Sequence, residues 1–570
     1  MLDYALSGIL LLSSLAASQP HENSPTRYEL SAETDGDRIR TLHVTLRLDA
    51  DASGHTVIDW PDQWAGETHL GRWARNITVE GGYQTSVAPH GGRIVDSAPG
   101  APLVMRYQVV SAYQTDPEVS NSRQPDPIIL PDWFYAVGFA LYAQPSGRDD
   151  LPAAFTWRGP VDIKFASDAQ YGRGLMRKPR TGKDIRESVV IGGHDLQVSS
   201  TLIGSDELRV AHIGRFGFDM EAFARLAKSV ISTERAFWGD EHAGPFLITA
   251  VPLGSRPGQT GFSGTGLGDA FATWIGRNTP LPDLTWFLAH EYFHSWNPGQ
   301  LGHTEDATEA RTYWISEGFT DFFARRLMLR AGILSPTQFV KEWNEVLTNY
   351  ARSPYRSSSN STAADDFWNN DRARMMPYQR GALLAAVWDR RLRQRSVGQV
   401  TLDDVLHLQH RLAGANPRFS LQDALIASAA HYGLDLRPDI SQYVERAVPV
   451  LLPQDTFGDC ARVVSVDALV FERGWDTERT IRQGDIVTGL APDSRAYAAG
   501  LRNGMKLLSQ SGGNLGDPEI PITLTALDAS GEHIIHFKPI GRDTIRVQHI
   551  EMDAARFSVT PDACRRALSG

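Results

Sequence analysis

Five consecutive residues, His290-Glu291-Tyr292-Phe293-His294, constrain this chain more than any other stretch. Histidines four apart share one face of a helix, so His290 and His294 can offer two imidazoles to one cation. Glu291 lies beside that face, where it can take a proton from a water that the cation acidifies. A catalytic zinc takes three protein ligands and leaves one position open. Glu317, within Trp314-Ile315-Ser316-Glu317-Gly318-Phe319-Thr320-Asp321, is the natural third ligand. The pattern therefore implies a domain with a polar cluster held deep among helices, one Zn2+ ion and a hydrolytic reaction.

The flanks agree. Leu284, Trp286, Phe287, Leu288, Phe293 and Trp296 make the first helix apolar on most sides. Asp283 is placed to cap it and Asn297-Pro298-Gly299 to end it. The Glu317 segment reads as a second apolar helix over about 313–331, with Gly332 as its stop. Burying His, Glu and His in such helices without a cation would be unfavourable.

Size suggests three or four domains for the 570 residues. The net charge of −11 argues against a nucleic-acid partner, which needs clustered positive charge. The densest basic run, Arg390 to Arg395, falls at a helix end, where cations complement the helix dipole. An apolar stretch from Ala5 to Ala17, followed by Ser18, has the length and small-residue boundary of a signal peptide. Residues 1–18 are thus expected to direct export to the periplasm or medium; otherwise the chain is a soluble cytoplasmic one. No other stretch is apolar enough to stay in a membrane. Cys460 and Cys564, the only cysteines, either pair in an oxidising compartment or remain two thiols.

Organisation follows from pattern. Residues 19–217 read as a β-rich domain of short strands, sandwich-like, with alternation clearest in Leu42 to Leu48. Helical periodicity takes over near Asp219. The stretch 218–453 reads as a mostly helical catalytic domain, with helix starts at Ser335-Pro336-Thr337-Gln338, Thr401 and Ser420. Between its helices lies a long polar connection, 353–370, whose Phe367-Trp368 points to packing over the cleft. The next helix is expected to begin near Pro377. Residues 454–570 form a third unit, in which 484–505 reads strand, turn, short helix, turn, strand.

With these residues in view, the chain resembles the glycyl-aminopeptidase family of gluzincin zinc metallopeptidases. The resemblance rests on His290 to Asn297, on Trp314 to Thr320, and on the order of parts. It implies an α+β multidomain protein: a β-rich N-terminal domain, a thermolysin-like catalytic domain and a C-terminal PDZ-like domain. It also implies an aminopeptidase acting on peptides with small N-terminal residues. Pro377-Tyr378-Gln379-Arg380-Gly381 matches the family's tyrosine context, so Tyr378 is the implied donor to the oxyanion. The substrate-binding strand corresponds to Gly266, Leu267, Gly268 and Asp269. Gly268 stands where related enzymes carry a glutamate that grips the substrate amine. Either Asp269 takes over that contact or it is lost, which would favour an endopeptidase or oligopeptidase. A third reading, from another class, is a PDZ-type peptide-binding protein with a vestigial metal site. Asn297 and Asp321 are candidate partners for the ligand histidines.

Overall fold

Alternation along Arg38–Asp49 puts Leu42, Val44, Leu46 and Leu48 on one face, and all four are buried. This strand lies at the centre of a five-stranded sheet with Thr26–Asp35, Pro102–Val109, Ala74–Glu80 and Ala153–Trp157. The last of these joins Thr26–Asp35 in parallel; the others pair antiparallel. Two four-stranded sheets and the two-stranded pair Gln63–Trp64 and Glu67–Thr68 complete the N-terminal part, which is β-rich as its sequence pattern implies. A computed structural model describes residues 24–119, 123, 125–170, 180–240, 243–255, 259–513 and 517–570. The expected leader, 1–18, lies outside the described residues.

The expected boundary at 217/218 cuts through a sheet. Gln197–Ile203 and Asp206–His212 pair with each other and then, in parallel, with Phe246–Leu253, Ala270–Gly276 following. Phe262–Gly266 closes this five-stranded sheet as its edge, antiparallel to Ala270–Gly276. The catalytic unit thus begins before residue 218. The two early strands share the β-rich pattern of the N-terminal sheets, but hydrogen bonding joins them to the later ones.

Helices pack on that sheet. Helix α1, Met220–Trp238, starts at Asp219, whose carboxylate accepts the N–H groups of Glu221 and Ala222. Helix α2, Leu284–Phe293, carries His290 and Glu291, has His294 as its C-cap residue, and is buried on nearly every side. Asp283 belongs to a 3-10 turn, Leu281–Asp283, and makes no side-chain cap to α2. Helix α3, Tyr313–Arg330, carries Glu317 and ends before Gly332 at φ +73°. Helix α4, Pro336–Arg352, has the expected capping box between Ser335 and Gln338.

Helix α5, Asp371–Arg395, begins earlier than Pro377 suggests, because Asn370 accepts the N–H groups of Arg372 and Ala373 and starts it there. Two glycines let α3 and α5 approach closely. A Cβ on Gly318 would lie 2.4 Å from the Gly381 Cα, and one on Gly381 1.9 Å from the Trp314 carbonyl oxygen. The crossing sets Glu317 and Tyr378, each one turn or less from it, beside one another. Arg390 and Arg393 pair with Asp455 and Asp389 at 2.6 and 2.8 Å, the structural role expected of the basic run.

After residue 453, Ala461–Phe471 pairs with Ile540–Met552, and Lys506–Ser511, Ile522–Asp528 and Gly531–Phe537 form a three-stranded sheet. Its short helix is Arg495–Ala498. Cys460 and Cys564 form a disulfide, the first of the two alternatives. Among the described residues, no helix is long and apolar enough to cross a membrane.

Candidate metal centre and active site

Helices α2 and α3 pack side by side and bring His290, His294 and Glu317 to one point. His290 Nε2 lies 3.1 Å and His294 Nε2 3.4 Å from Glu317 Oε2, and the two nitrogens are 3.2 Å apart. Their candidate ligand atoms all fall within 4.8 Å of one another, and no other such cluster occurs among the described residues.

The far side of each ring decides what the near side offers. His294 Nδ1 donates to the Asn297 carbonyl at 2.8 Å, which leaves Nε2 as a bare lone pair. Asn297 is itself fixed: its amide nitrogen donates to Ile315 O, Ser316 O and Thr320 Oγ1 at 3.2, 2.9 and 3.0 Å. One asparagine therefore ties the end of α2 to the first turns of α3. His290 Nδ1 faces Asp321 Oδ1 at 3.5 Å, long for a hydrogen bond but close enough to orient the ring. Asp321 is anchored by Trp286 Nε1 at 2.8 Å and by Arg325 Nη1 at 2.6 Å. Both expected orienting residues thus stand behind the histidines.

Ring nitrogens and a carboxylate oxygen converging at this range repel unless a proton or a metal cation sits among them. Charge tells the same story. Burial disfavours a proton on His290, yet Asp321 and Glu317 outweigh it and raise its pKa to about 10. Burial also disfavours the charged form of Glu317, yet His294 and His290 hold its carboxyl far below the usual range. The cage demands positive charge, and two imidazoles with one carboxylate are a donor set that zinc accepts.

The working residues surround the cage. Glu291 Oε2 accepts the Gly266 N–H at 3.2 Å, so the glutamate is held against the edge strand. Burial, the leading influence, raises its carboxyl. The Tyr378 ring stacks on His290 with centroids 5.6 Å apart. Burial first, then Glu317 and Glu291, push its phenol well above 10, so its proton stays available for donation. All of these face a cavity of about 950 Å³, which Gly266, Leu267 and Gly268 also line.

Asp269 departs from expectation. Its carboxylate is held by Arg180 Nη1 at 2.9 Å, and it lies outside the cavity wall. Asp269 belongs to the turn between Phe262–Gly266 and Ala270–Gly276, which the Leu267 N–H closes on the Ala270 carbonyl at 2.8 Å, and from there its side chain meets Arg180. Sequence reasoning also passed over Glu187, Glu309, Trp64, Phe139 and Arg374, which line the same cavity. No local motif marks them, because they arrive from five separate segments. Trp368 does line it, in keeping with its expected place over the cleft.

Residues 283–384 match the family model described as M61 glycyl aminopeptidase. That stretch contains α2, α3, α4 and the Tyr378 turn of α5, hence every candidate ligand and catalytic group. Among solved structures, an aminopeptidase N family protein from Idiomarina loihiensis superposes with a TM-score of 0.69 at 17% identity, over 95% of this chain and 100% of that one. The fold is therefore shared along nearly the whole length. An M1 zinc metallopeptidase from Deinococcus radiodurans reaches a TM-score of 0.45 at 17% identity, over 76% of this chain and 95% of that one, a likeness too low to decide anything. No curated protein matches the sequence. With the M61 match lying on the metal cage, this stretch resembles the glycyl aminopeptidases, and the donor set within it supports a zinc metallopeptidase.

Proposed function

We propose that the protein releases residues one at a time from the amino end of peptides, small ones preferred, using one zinc ion held by His290, His294 and Glu317. The observation that carries this reading is the convergence of those donors, of which His294 and Glu317 line one cavity together with Glu291 and Tyr378. A zinc ion bound there supplies a Lewis acid for the scissile carbonyl and lowers the pKa of a water.

The chain's own residues do the rest. Glu291 accepts a proton from the attacking water and returns it to the departing amine, an exchange that its raised carboxyl favours. Tyr378 donates its hydroxyl hydrogen to the oxygen that gains charge. Phe262–Gly266 ends its sheet, and no described strand pairs with its outer edge. An extended peptide can add there through main-chain hydrogen bonds, and the glycines permit close approach. Preference for small N-terminal residues is the expectation carried by the M61 resemblance. We further read 454–570 as PDZ-like, on the short helix Arg495–Ala498 between strand segments, and 1–18 as an export leader.

Glu291→Gln is expected to keep zinc and lose turnover by about a thousandfold. Hydrolysis near the normal rate by a zinc-replete variant would remove Glu291 from the mechanism. A free-amine peptide and its N-acetylated twin separate the exopeptidase from an endopeptidase with the same metal site, since only the latter cleaves both alike. Peptide cleavage that chelator does not touch would leave the binding-protein reading in its place.

A further inference from the structure

The N-terminal part and the helical part touch at the rim of the cavity. The hairpin Gln63–Trp64 and Glu67–Thr68 belongs to the first, and its Trp64 and Ala65 line the cavity. Trp368 lines it from the second, in the connection that leads into α5. A Cβ on Gly66, at the tip of the hairpin, would lie 2.5 Å from Trp368 Cε3 and 2.8 Å from its Cδ2. Only glycine permits so close an approach. Gly66 also holds φ +77°, the left-handed region that glycine adopts freely.

Both sides of this contact are anchored. Trp64 stacks on Phe139 with centroids 4.6 Å apart and planes 11° from parallel. Arg72 Nη1 donates to the Thr68 carbonyl at 2.8 Å, and Glu67 pairs with Arg123 at 3.3 Å. The hairpin therefore holds its tip in place. On the other side Phe367 is buried, with its ring 4.9 Å from Trp368 and 4.7 Å from Tyr313 of α3. Trp368 itself is 51% exposed, so it stands where the cavity opens to solvent and not in its floor.

Helix α5 gives the distance from this contact to the chemistry. Arg374 and Tyr378, one turn apart, both line the cavity, so that face of the helix runs along its wall. From Tyr378 back to the helix start at Asp371 is about 10 Å at a rise of 1.5 Å per residue. Trp368 comes just before that start. An extended chain covers about 10 Å in roughly three residues. A peptide whose scissile carbonyl lies at Tyr378, and whose remainder follows this wall, meets the indole after that length.

We propose that Gly66 and Trp368 form a bridge over the cavity mouth that selects substrates by length, admitting peptides of about four residues or fewer and turning away longer chains and the ends of folded proteins. Trp368 is the specificity-determining residue, and the Gly66 turn is the stop against which its ring rests. The assignment rests on the aminopeptidase reading above and names the substrate class within it, short oligopeptides.

The test uses zinc-loaded full-length protein and two free-amine peptides that begin alike, Ala-Ala-Ala and a soluble dodecapeptide that starts with the same three residues. Release of the first alanine is measured for each. Native protein is expected to favour the tripeptide in kcat/KM by about tenfold or more. Trp368→Ala opens the bridge and is expected to shrink that preference by about fivefold or more, through a higher kcat/KM for the dodecapeptide. A merely structural role for the indole would lower both rates together and leave their ratio unmoved. If native protein releases alanine equally from both peptides, or if Trp368→Ala keeps the native ratio, the bridge does not select length and the aminopeptidase reading stands. If native protein releases alanine from neither, both fail. Should Trp368→Ala not fold, Trp368→Gln also removes the ring, and a native ratio in it overturns the assignment.

Discussion

Asp321 is the residue on which the cage's electrostatics turn. It receives Trp286 Nε1, pairs with Arg325 and faces the rear nitrogen of His290. Burial alone would raise its carboxyl, but Arg325 and His290 outweigh that and hold it below the ordinary range. A permanently charged acceptor behind the ring makes Nε2 a better ligand. Asp321→Asn keeps the shape and removes the charge. It is expected to weaken zinc binding by about ten- to a hundredfold, read by competition with a chelator of known affinity. Unchanged affinity would show that the 3.5 Å contact leaves the ligand untouched. The histidines, Glu291 and Glu317 are legible in sequence because their spacing is local and their chemistry is rare. Asp321 is legible too, one helical turn after Glu317. Glu187 is not: it lies about a hundred positions before the cage, and only its contact with Gly268 gives it meaning.

At the scale of elements, the active site depends on how closely α3 and α5 cross. Glu317 immediately precedes Gly318, and Tyr378 is three residues before Gly381, so the close approach of the glycine pair brings the proposed ligand beside the proposed oxyanion donor. Gly381→Ala would put a methyl 1.9 Å from the Trp314 carbonyl, a backbone atom that cannot step aside as a side chain can. The helices must separate. The variant is expected to lose about 2 kcal/mol or more of stability, and kcat/KM by at least about tenfold, measured by urea unfolding and tripeptide hydrolysis. Native values for both would mean that the crossing has slack. The two helices themselves follow from apolar periodicity and caps, as read from sequence. Their crossing does not, since a glycine that admits a neighbour and a glycine that ends a helix look alike in one dimension. The same holds for the sheet that runs through the 217/218 boundary: alternation identifies strands but not their partners.

Across the whole molecule, the catalytic unit is tied on both sides. The C-terminal unit is closed by Cys460–Cys564 and returns to α3, where Arg330 donates to the carbonyls of Ser569 and Gly570 at 3.0 and 3.1 Å. The N-terminal part is tied through Glu187 to Gly268 and through Arg180 to Asp269. Asp168 sits behind that second tie. Its Oδ1 accepts the Val189 N–H at 2.8 Å, while its Oδ2 is buried without a partner. Burial pushes its carboxyl up to about 7, with Val189 and Arg180 only partly opposing. In the unfolded chain the same group titrates near 4. Between these values the folded protein holds a proton that the unfolded chain has released. Stability from this group therefore falls as pH rises from about 4 to 7 and is level above that. Glu234, fully buried with neither oxygen bonded, adds a slope of the same sign. Asp168→Asn keeps an acceptor for Val189 and cannot ionise, so it removes the Asp168 part and leaves that of Glu234. The variant is expected to match the native protein near pH 4 and to exceed it at pH 8 by about 4 kcal/mol, an upper figure if Arg180 follows the charge. Urea midpoints at a series of pH values decide the matter. Parallel curves for the two proteins would mean that Asp168 is already ionised throughout, and that Arg180 serves it as well as Asp269.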